Sequence, residues 1–188
     1  MKLYVLAILF TISNLCSAQN NVILSTIGVG ELKLGMTELQ VSKILDSPML
    51  VDIPDKKESE TNSLQSKSLC KDCTKLFSCN YKEIDFTLTF FKSSLQSKRK
   101  TYKLVCVAPS KPTALMQTKE GIKIGLNESS LIQICKANKY ILTKISDQGD
   151  LSNYFLTDKK SKNISAVIII QTQKGVISTL MLADMDGD

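Results

Sequence analysis

The spacing of hydrophobic residues is the same in two stretches that lie far apart in the chain. One stretch reads LKLGMTELQVSKIL, from Leu32 to Leu45, and the other reads IKIGLNESSLIQIC, from Ile122 to Cys135. In each, apolar residues three and four positions apart follow a glycine and a glutamate, which predicts an amphipathic helix with one buried stripe. Four residues recur at a constant offset of 90 positions: Lys33, Gly35, Glu38 and Ile44 recur as Lys123, Gly125, Glu128 and Ile134. This recurrence predicts an internal duplication.

Capping residues mark the start of each predicted helix. Thr37 and Asn127 have side-chain oxygens that accept hydrogen bonds from unpaired backbone N–H groups of a first helical turn. Gln40 lies three residues after Thr37, and this pair predicts a capping box. Glu38 and Glu128 occupy the first helical position, where a negative charge suits the helix dipole. Since each of these residues has a folding role, the motif indicates fold rather than a chemical site.

Hydrophobic and polar residues alternate in the stretches that follow each predicted helix. IDFTLTF begins at Ile84 and predicts a half-buried antiparallel strand, with TYKLVCV (Thr101 to Val107) as its neighbour. NYFLT, SAVIIIQT and GVISTLML predict three strands in the second half, and Ala166 to Ile170 is apolar on both faces, which predicts a central or covered strand. The predicted fold class is α+β, with two tandem repeats, each a capped helical segment packed on an antiparallel β-meander.

The first residues have the pattern of a secretion signal. Lys2 is followed by an apolar run from Leu3 to Ile12, and small residues end at Ala18. This pattern predicts a signal peptide over residues 1–18, with lipidation of Cys16 as an alternative to simple cleavage. The run is shorter than the ~20 residues that span a bilayer, and no later run reaches that length. We expect an exported protein, periplasmic or extracellular, with no transmembrane segment in the mature chain.

Two prolines separate the two patterned regions. Pro109 and Pro112 place the predicted boundary between a first helix-plus-sheet repeat over residues 19–109 and a second over residues 110–188. Residues 52–80 are an insert without a counterpart in the second half. From Pro54 to Ser68 the insert is mostly Lys, Ser, Glu, Asn and Gln, and this composition does not build a core.

Cysteines are concentrated in this insert. Cys70, Cys73 and Cys79 lie within it, and together with Cys106 they are candidates for disulfides that tether it. Four cysteines allow three pairings, which the sequence does not distinguish. CKDC, from Cys70 to Cys73, alternatively predicts a thiol–disulfide exchange site, although such sites normally open a helix. A zinc site would need all four thiols, and we expect neither a metal nor a cofactor. Cys135 lies on the predicted helix stripe and is expected to be a small core residue.

The charged residues narrow the function classes. The chain has 24 basic and 18 acidic residues and no histidine, which excludes catalysis by Ser-His-Asp or Cys-His groups. We therefore expect no catalytic residues and no enzyme. The net charge of +6 is spread along the chain, which does not favour nucleic-acid binding. Lys98, Arg99 and Lys100 form the densest basic group, at a predicted hairpin tip, and are a candidate contact for an acidic protein partner.

The repeated motif resembles that of a known family. It runs from Lys33 to Leu45 and from Lys123 to Cys135, and it is similar to the start of the SmpA/OmlA family of small outer-membrane assembly lipoproteins. Two such units in one chain resemble the β-lactamase inhibitor protein family. The resemblance implies an exported, non-enzymatic protein that binds other proteins. The motif covers 26 residues and extends to no inhibitory loop that matches residue by residue.

The expected function is that of an exported protein-binding module of the bacterial envelope, in envelope assembly or maintenance or as an inhibitor. The expected partner is another protein, with peripheral association with the envelope. The favoured contact surface is the open face of the combined sheet with its flanking loops. Two alternatives are a periplasmic thiol–disulfide protein that uses Cys70 and Cys73, and an envelope protein that binds a ligand or lipid between helix and sheet.

Overall fold

The structure is a computed structural model that describes residues 21–45, 51–52, 74–92, 101–138, 140–159 and 165–186. The predicted signal peptide with Cys16, most of the predicted insert with Cys70 and Cys73, and the basic group Lys98 to Lys100 lie outside these residues. The structure therefore does not test those predictions.

Two helices begin where the capping residues predict. Helix α1 (Glu38–Ile44) has Thr37 as its N-cap, and the backbone N–H of Gln40 donates to Thr37 Oγ1 at 3.3 Å. Gln40 Oε1 accepts from the Thr37 backbone N–H at 2.9 Å, so the predicted capping box is confirmed. Helix α2 (Glu128–Asn138) begins after Asn127, whose Oδ1 accepts from the backbone N–H of Ser130 at 2.8 Å.

Most of the described chain is β-strand. The strands are β1 (Val22–Ser25), β2 (Gly28–Val29), β3 (Leu32–Lys33), β4 (Val51–Asp52), β5 (Thr74–Tyr81), β6 (Ile84–Phe91), β7 (Lys103–Pro109), β8 (Met116–Thr118), β9 (Tyr140–Gln148), β10 (Leu151–Asp158), β11 (Ala166–Gln173) and β12 (Val176–Asp184). A small sheet has the order β3-β2-β1-β8, and a large antiparallel sheet has the order β4-β5-β6-β7-β12-β11-β10-β9. Strand β11 is flanked on both sides, as its apolar sequence predicts.

The predicted fold class is wrong. The protein is mostly β, with 57% strand and 15% helix in the part that the structure describes, and it is not an α+β protein of two helix-plus-meander repeats. The helices are short and bury few side chains: Val41 in α1, and Leu131 and Cys135 in α2. Strand pairing also crosses between the predicted repeats, since β7 pairs with β12 and β8 pairs in parallel with β1.

The two glycine turns that precede the helices make corresponding backbone contacts with the large sheet. Gly35 donates its N–H to the Leu104 carbonyl at 2.8 Å, and Gly125 donates to the Ile177 carbonyl at 2.9 Å. Leu104 and Ile177 each donate in return, at 2.8 Å, to the residue after the glycine. Both glycines have positive φ, +81° and +87°, a conformation that side chains with a Cβ rarely adopt. The repeated motif thus attaches each helix start to β7 or β12.

One hydrophobic cluster joins the two sheets and both helices. Leu24 and Leu32 of the small sheet, Val41 and Leu131 of the helices and Phe86 of the large sheet are each at most 1% exposed and belong to the same core. Fully burying such side chains contributes about 1.5–3 kcal/mol each. The small sheet and the helices therefore share one core with one face of the large sheet.

Candidate interaction surface

The large sheet has a core face and an open face, because successive side chains of a strand point to opposite sides. In β6, Phe86, Leu88 and Phe90 are fully buried, whereas Thr87 and Thr89 between them keep solvent exposure. The open face is the side of β5–β7 and β9–β12 that carries Thr87, Thr89 and the residues in register with them.

Corresponding positions of the two halves of this sheet are identified by register. On the core face of the first half, Phe77, Leu88 and Val107 lie side by side across β5, β6 and β7. The corresponding row of the second half is Tyr154, Ile170 and Leu180, across β10, β11 and β12. The β6–β7 pairing shifts register directly after Thr89, and the β11–β12 pairing shifts at the corresponding place, after Gln171. At these core positions both halves are large and buried, as the shared packing requires.

On the open face the corresponding positions differ in chemistry. One row across β5, β6 and β7 is Ser78, Thr87 and Ala108, and the corresponding row across β10, β11 and β12 is Phe155, Ile169 and Met181. In the adjoining row Val167, which is only 5% exposed, corresponds to Asp85. In these two rows the second half has larger apolar residues where the first half has small or polar ones, whereas in the next row Leu76 of the first half corresponds to Asn153 of the second. We call the set Phe155, Ile169 and Met181 the apolar row.

Charged side chains are scarce on the open face. Within the described ranges, the positions of β9–β12 that face this side include no charged residue, and those of β5–β7 include Asp85 and Lys103.

Side chains next to the apolar row form a set of hydrogen bonds with one another. Asn153 Nδ2 donates to Ser146 Oγ at 2.8 Å, Gln171 Nε2 donates to Asn153 Oδ1 at 3.2 Å, and Thr179 Oγ1 lies 3.5 Å from Gln171 Oε1. These polar groups satisfy one another, so a partner can cover them at little desolvation cost.

Two clefts lie between the helices and the sheet. The cleft beside α1 has a volume of about 540 Å³ and is lined by Glu38, Lys75 and Tyr102 among others. Lys75 Nζ pairs with Glu38 Oε1 at 3.0 Å and lies 4.4 Å from the centre of the Tyr102 ring. The protein's own side chains therefore bridge this cleft.

The cleft beside α2 has a volume of about 430 Å³. Tyr154 donates its hydroxyl hydrogen to Glu128 Oε1, and burial together with this hydrogen bond raises the pKa of Tyr154. Lys144 Nζ, 5.6 Å from the Tyr154 ring centre, pairs with Asp147 Oδ2 at 2.5 Å. Two of the charged groups that line this cleft, Glu128 and Lys144, therefore have partners within the protein.

The described cysteines are free thiols on different sides of the sheet. Cys79 pairs with Phe86 and faces the core, whereas Cys106 pairs with Thr89 and faces the open side. The two thiols therefore cannot bond to each other or bind one zinc ion together, which removes one of the three disulfide pairings and the four-thiol zinc site. Cys135 is 3% exposed, as predicted for a core residue.

Burial makes these thiols poor nucleophiles. It raises the pKa of the Cys135 thiol to about 11, and it raises the pKa of Cys79 to about 11 with a further contribution from the Asp85 carboxylate. Burial also raises the pKa of Cys106, against a hydrogen bond with Thr89 that lowers it. At neutral pH the reactive thiolate is therefore a very small fraction at all three. In the described ranges, no three cysteine or carboxylate side chains are grouped closely enough to hold a metal ion.

Comparison with protein-family models found no match, and comparison with curated proteins found none either. Neither described helix is long and apolar enough to cross a membrane. The sequence pattern did predict an open sheet face. It did not single out Phe155, Ile169 and Met181, since alternation by itself does not show that these three residues are neighbours.

Proposed function

We propose that this protein is an exported protein-binding module that contacts its partner through the open face of the large sheet. The observation that carries the proposal is the combination on that face of an apolar row and few charges, in a chain with 24 basic and 18 acidic residues. The cores of protein interfaces are depleted in charged residues and enriched in aromatic residues and methionine. Phe155 and Met181 match this composition.

The size of the face also suits a protein partner. Seven strands spaced about 4.8 Å apart, each rising about 3.3 Å per residue over roughly eight residues, give a face of roughly 900 Å². A stable protein interface buries about 800 Å² on each partner. A small molecule would cover only a fraction of such a flat surface.

The sequence supports the proposed cellular setting. The signal-peptide pattern of residues 1–18 supports export, and the motifs that begin at Lys33 and Lys123 resemble those of envelope proteins that bind other proteins. We propose the bacterial envelope as the place of action, in assembly, maintenance or inhibition. The proposal includes no catalytic step.

Photo-cross-linking tests the surface. The photoreactive amino acid p-benzoylphenylalanine is placed at position 155 in a tagged mature chain, and the chain is illuminated in cell-envelope extract at several salt concentrations. We expect one discrete protein adduct, because a centrally placed side chain of an interface lies against the partner. Adding Ile169→Lys should reduce the yield of this adduct, since it places a charge in the apolar row.

A matched position provides the control. Ile23 is 44% exposed on the small sheet, away from the open face, and the same photoreactive group there should give no discrete adduct. Equal labelling from positions 23 and 155, or no adduct from position 155 at any salt concentration, would contradict the proposal.

A further inference from the structure

We infer that the partner of the open face is a second copy of this chain, packed against the apolar row. This inference rests on the proposed function and deepens it by naming the partner. Phe155 pairs with Ile169 and Ile169 with Met181, so the three side chains lie side by side across β10, β11 and β12. Contact with the same row of a second copy would give a two-fold, self-complementary interface.

The distribution of charge favours a second copy. A chain with a net charge of +6 repels its own copies wherever lysines would meet, because like charges across an interface are unfavourable. On the open side of β9–β12 the described positions have no charge, so two copies can approach there without bringing lysines together. An acidic partner would be steered by basic residues, and among the described open-face positions Lys103 alone supplies one.

The divergence between the two halves locates the contact. Ser78 and Thr87 occupy the positions that correspond to Phe155 and Ile169, and the core residues behind both pairs are large and buried. Packing of the protomer core therefore does not require Phe155 and Ile169 to be apolar. Both side chains are half-buried on the open face, and burial in an interface explains why they are apolar there.

The area fits a weak, reversible two-fold dimer. The half of the face on β9–β12 measures roughly 500 Å², so two copies would bury about 1,000 Å² in total, which is below the roughly 1,200–2,000 Å² of stable interfaces and typical of weak ones. Two sheets that pack face to face lie about 10 Å apart, with their strands about 30° from parallel. The smaller first-half residues, such as Ser78, would then lie at the rim.

Sedimentation equilibrium of the purified mature chain tests the inference. We expect a monomer–dimer equilibrium, and Ile169→Lys should raise the dimer dissociation constant by about tenfold or more, because a lysine would be buried in the contact. Thr87→Lys at the corresponding position of the first half should leave the constant within about threefold of the original. Far-UV circular dichroism of each variant checks that the protomer is folded.

The outcomes separate this inference from the proposed function. A purified chain that stays monomeric up to high concentration overturns the inference, while an adduct with a different protein in envelope extract would leave the proposed function intact. A dimer that Thr87→Lys weakens as much as Ile169→Lys also overturns it, because the contact would then not be centred on the apolar row. If Ile169→Lys does not fold, Met181→Gln provides the same test with a milder change.

Discussion

At the scale of single residues, the close contact between Gly30 and Tyr81 makes the clearest prediction. Gly30 has φ +59°, and a Cβ there would lie 2.7 Å from the Tyr81 hydroxyl oxygen, which also accepts the Glu31 backbone N–H at 3.1 Å. We expect Gly30→Ala to lower the free energy of unfolding by about 2–4 kcal/mol, from backbone strain plus the steric clash.

The control for this substitution is Gly35→Ala. Gly35 has φ +81°, but a Cβ there would meet no atom within 4 Å, so strain alone should cost about 1–2 kcal/mol. Urea denaturation measures both variants. If both variants lose the same free energy of unfolding, the clash with Tyr81 does not add to the destabilisation.

The buried thiol of Cys135 predicts a dependence of stability on pH. Because the pKa of this thiol is raised from 9.0 to about 11 in the folded protein, its contribution is present below pH 9 and is lost as the pH rises toward 11. We expect the urea midpoint to fall over this range, and Cys135→Ala to show a shallower fall. A fall of the same steepness in both proteins would assign the effect to other groups.

At the scale of elements, the N-cap of α2 is a local contribution that the sequence alone predicts. Asn127 Oδ1 accepts from the Ser130 backbone N–H at 2.8 Å and from Ser129 Oγ at 2.7 Å. We expect Asn127→Ala to lower the free energy of unfolding by about 1 kcal/mol, and Asn127→Ser to lower it by less, since serine is also a good N-cap. Thermal unfolding followed by circular dichroism measures both variants, and an unchanged midpoint for Asn127→Ala would contradict the capping role.

Strand β9 shows why hydrophobic periodicity does not predict some of the strands. Two isoleucines of β9, Ile141 and Ile145, are 45% and 49% exposed, and the pairing of β9 with β10 shifts register between Asn153 and Tyr154, so hydrophobicity along β9 does not follow one regular alternation. The short strands β2 and β3, with two residues each, are below the length at which periodicity is visible. Only partner strands reveal such elements.

At the scale of the whole molecule, the β7–β12 pairing predicts cooperative unfolding. Leu182 pairs with Val107, and both are fully buried where the two halves of the large sheet meet. We expect Leu182→Ala to lower the free energy of unfolding by about 2–5 kcal/mol while a single transition is retained. Met181→Ala, one residue away on the open face, should cost less than about 1.5 kcal/mol in the monomer.

Two probes measure this prediction. Far-UV circular dichroism reports the strands and tyrosine fluorescence reports packing, because the chain has five tyrosines and no tryptophan. Coincident urea transitions would support one cooperative unit. Two separate transitions would mean that the halves unfold independently, as the predicted domain boundary near Pro109 would require.

Features that depend only on neighbouring residues can be predicted from the amino-acid sequence. Capping at Thr37 and Asn127, the buried stripe through Val41 and Leu131, and the alternation of β6 follow from local spacing and are present in the structure. The remaining features depend on contacts between distant parts of the chain. Local patterns do not specify which strands pair at a distance, so the mostly β class, the joining of β7 to β12 and the opposite facing of Cys79 and Cys106 became visible only in the fold. The apolar row also could not be predicted from local patterns, because strand register brings together its three residues from three different strands.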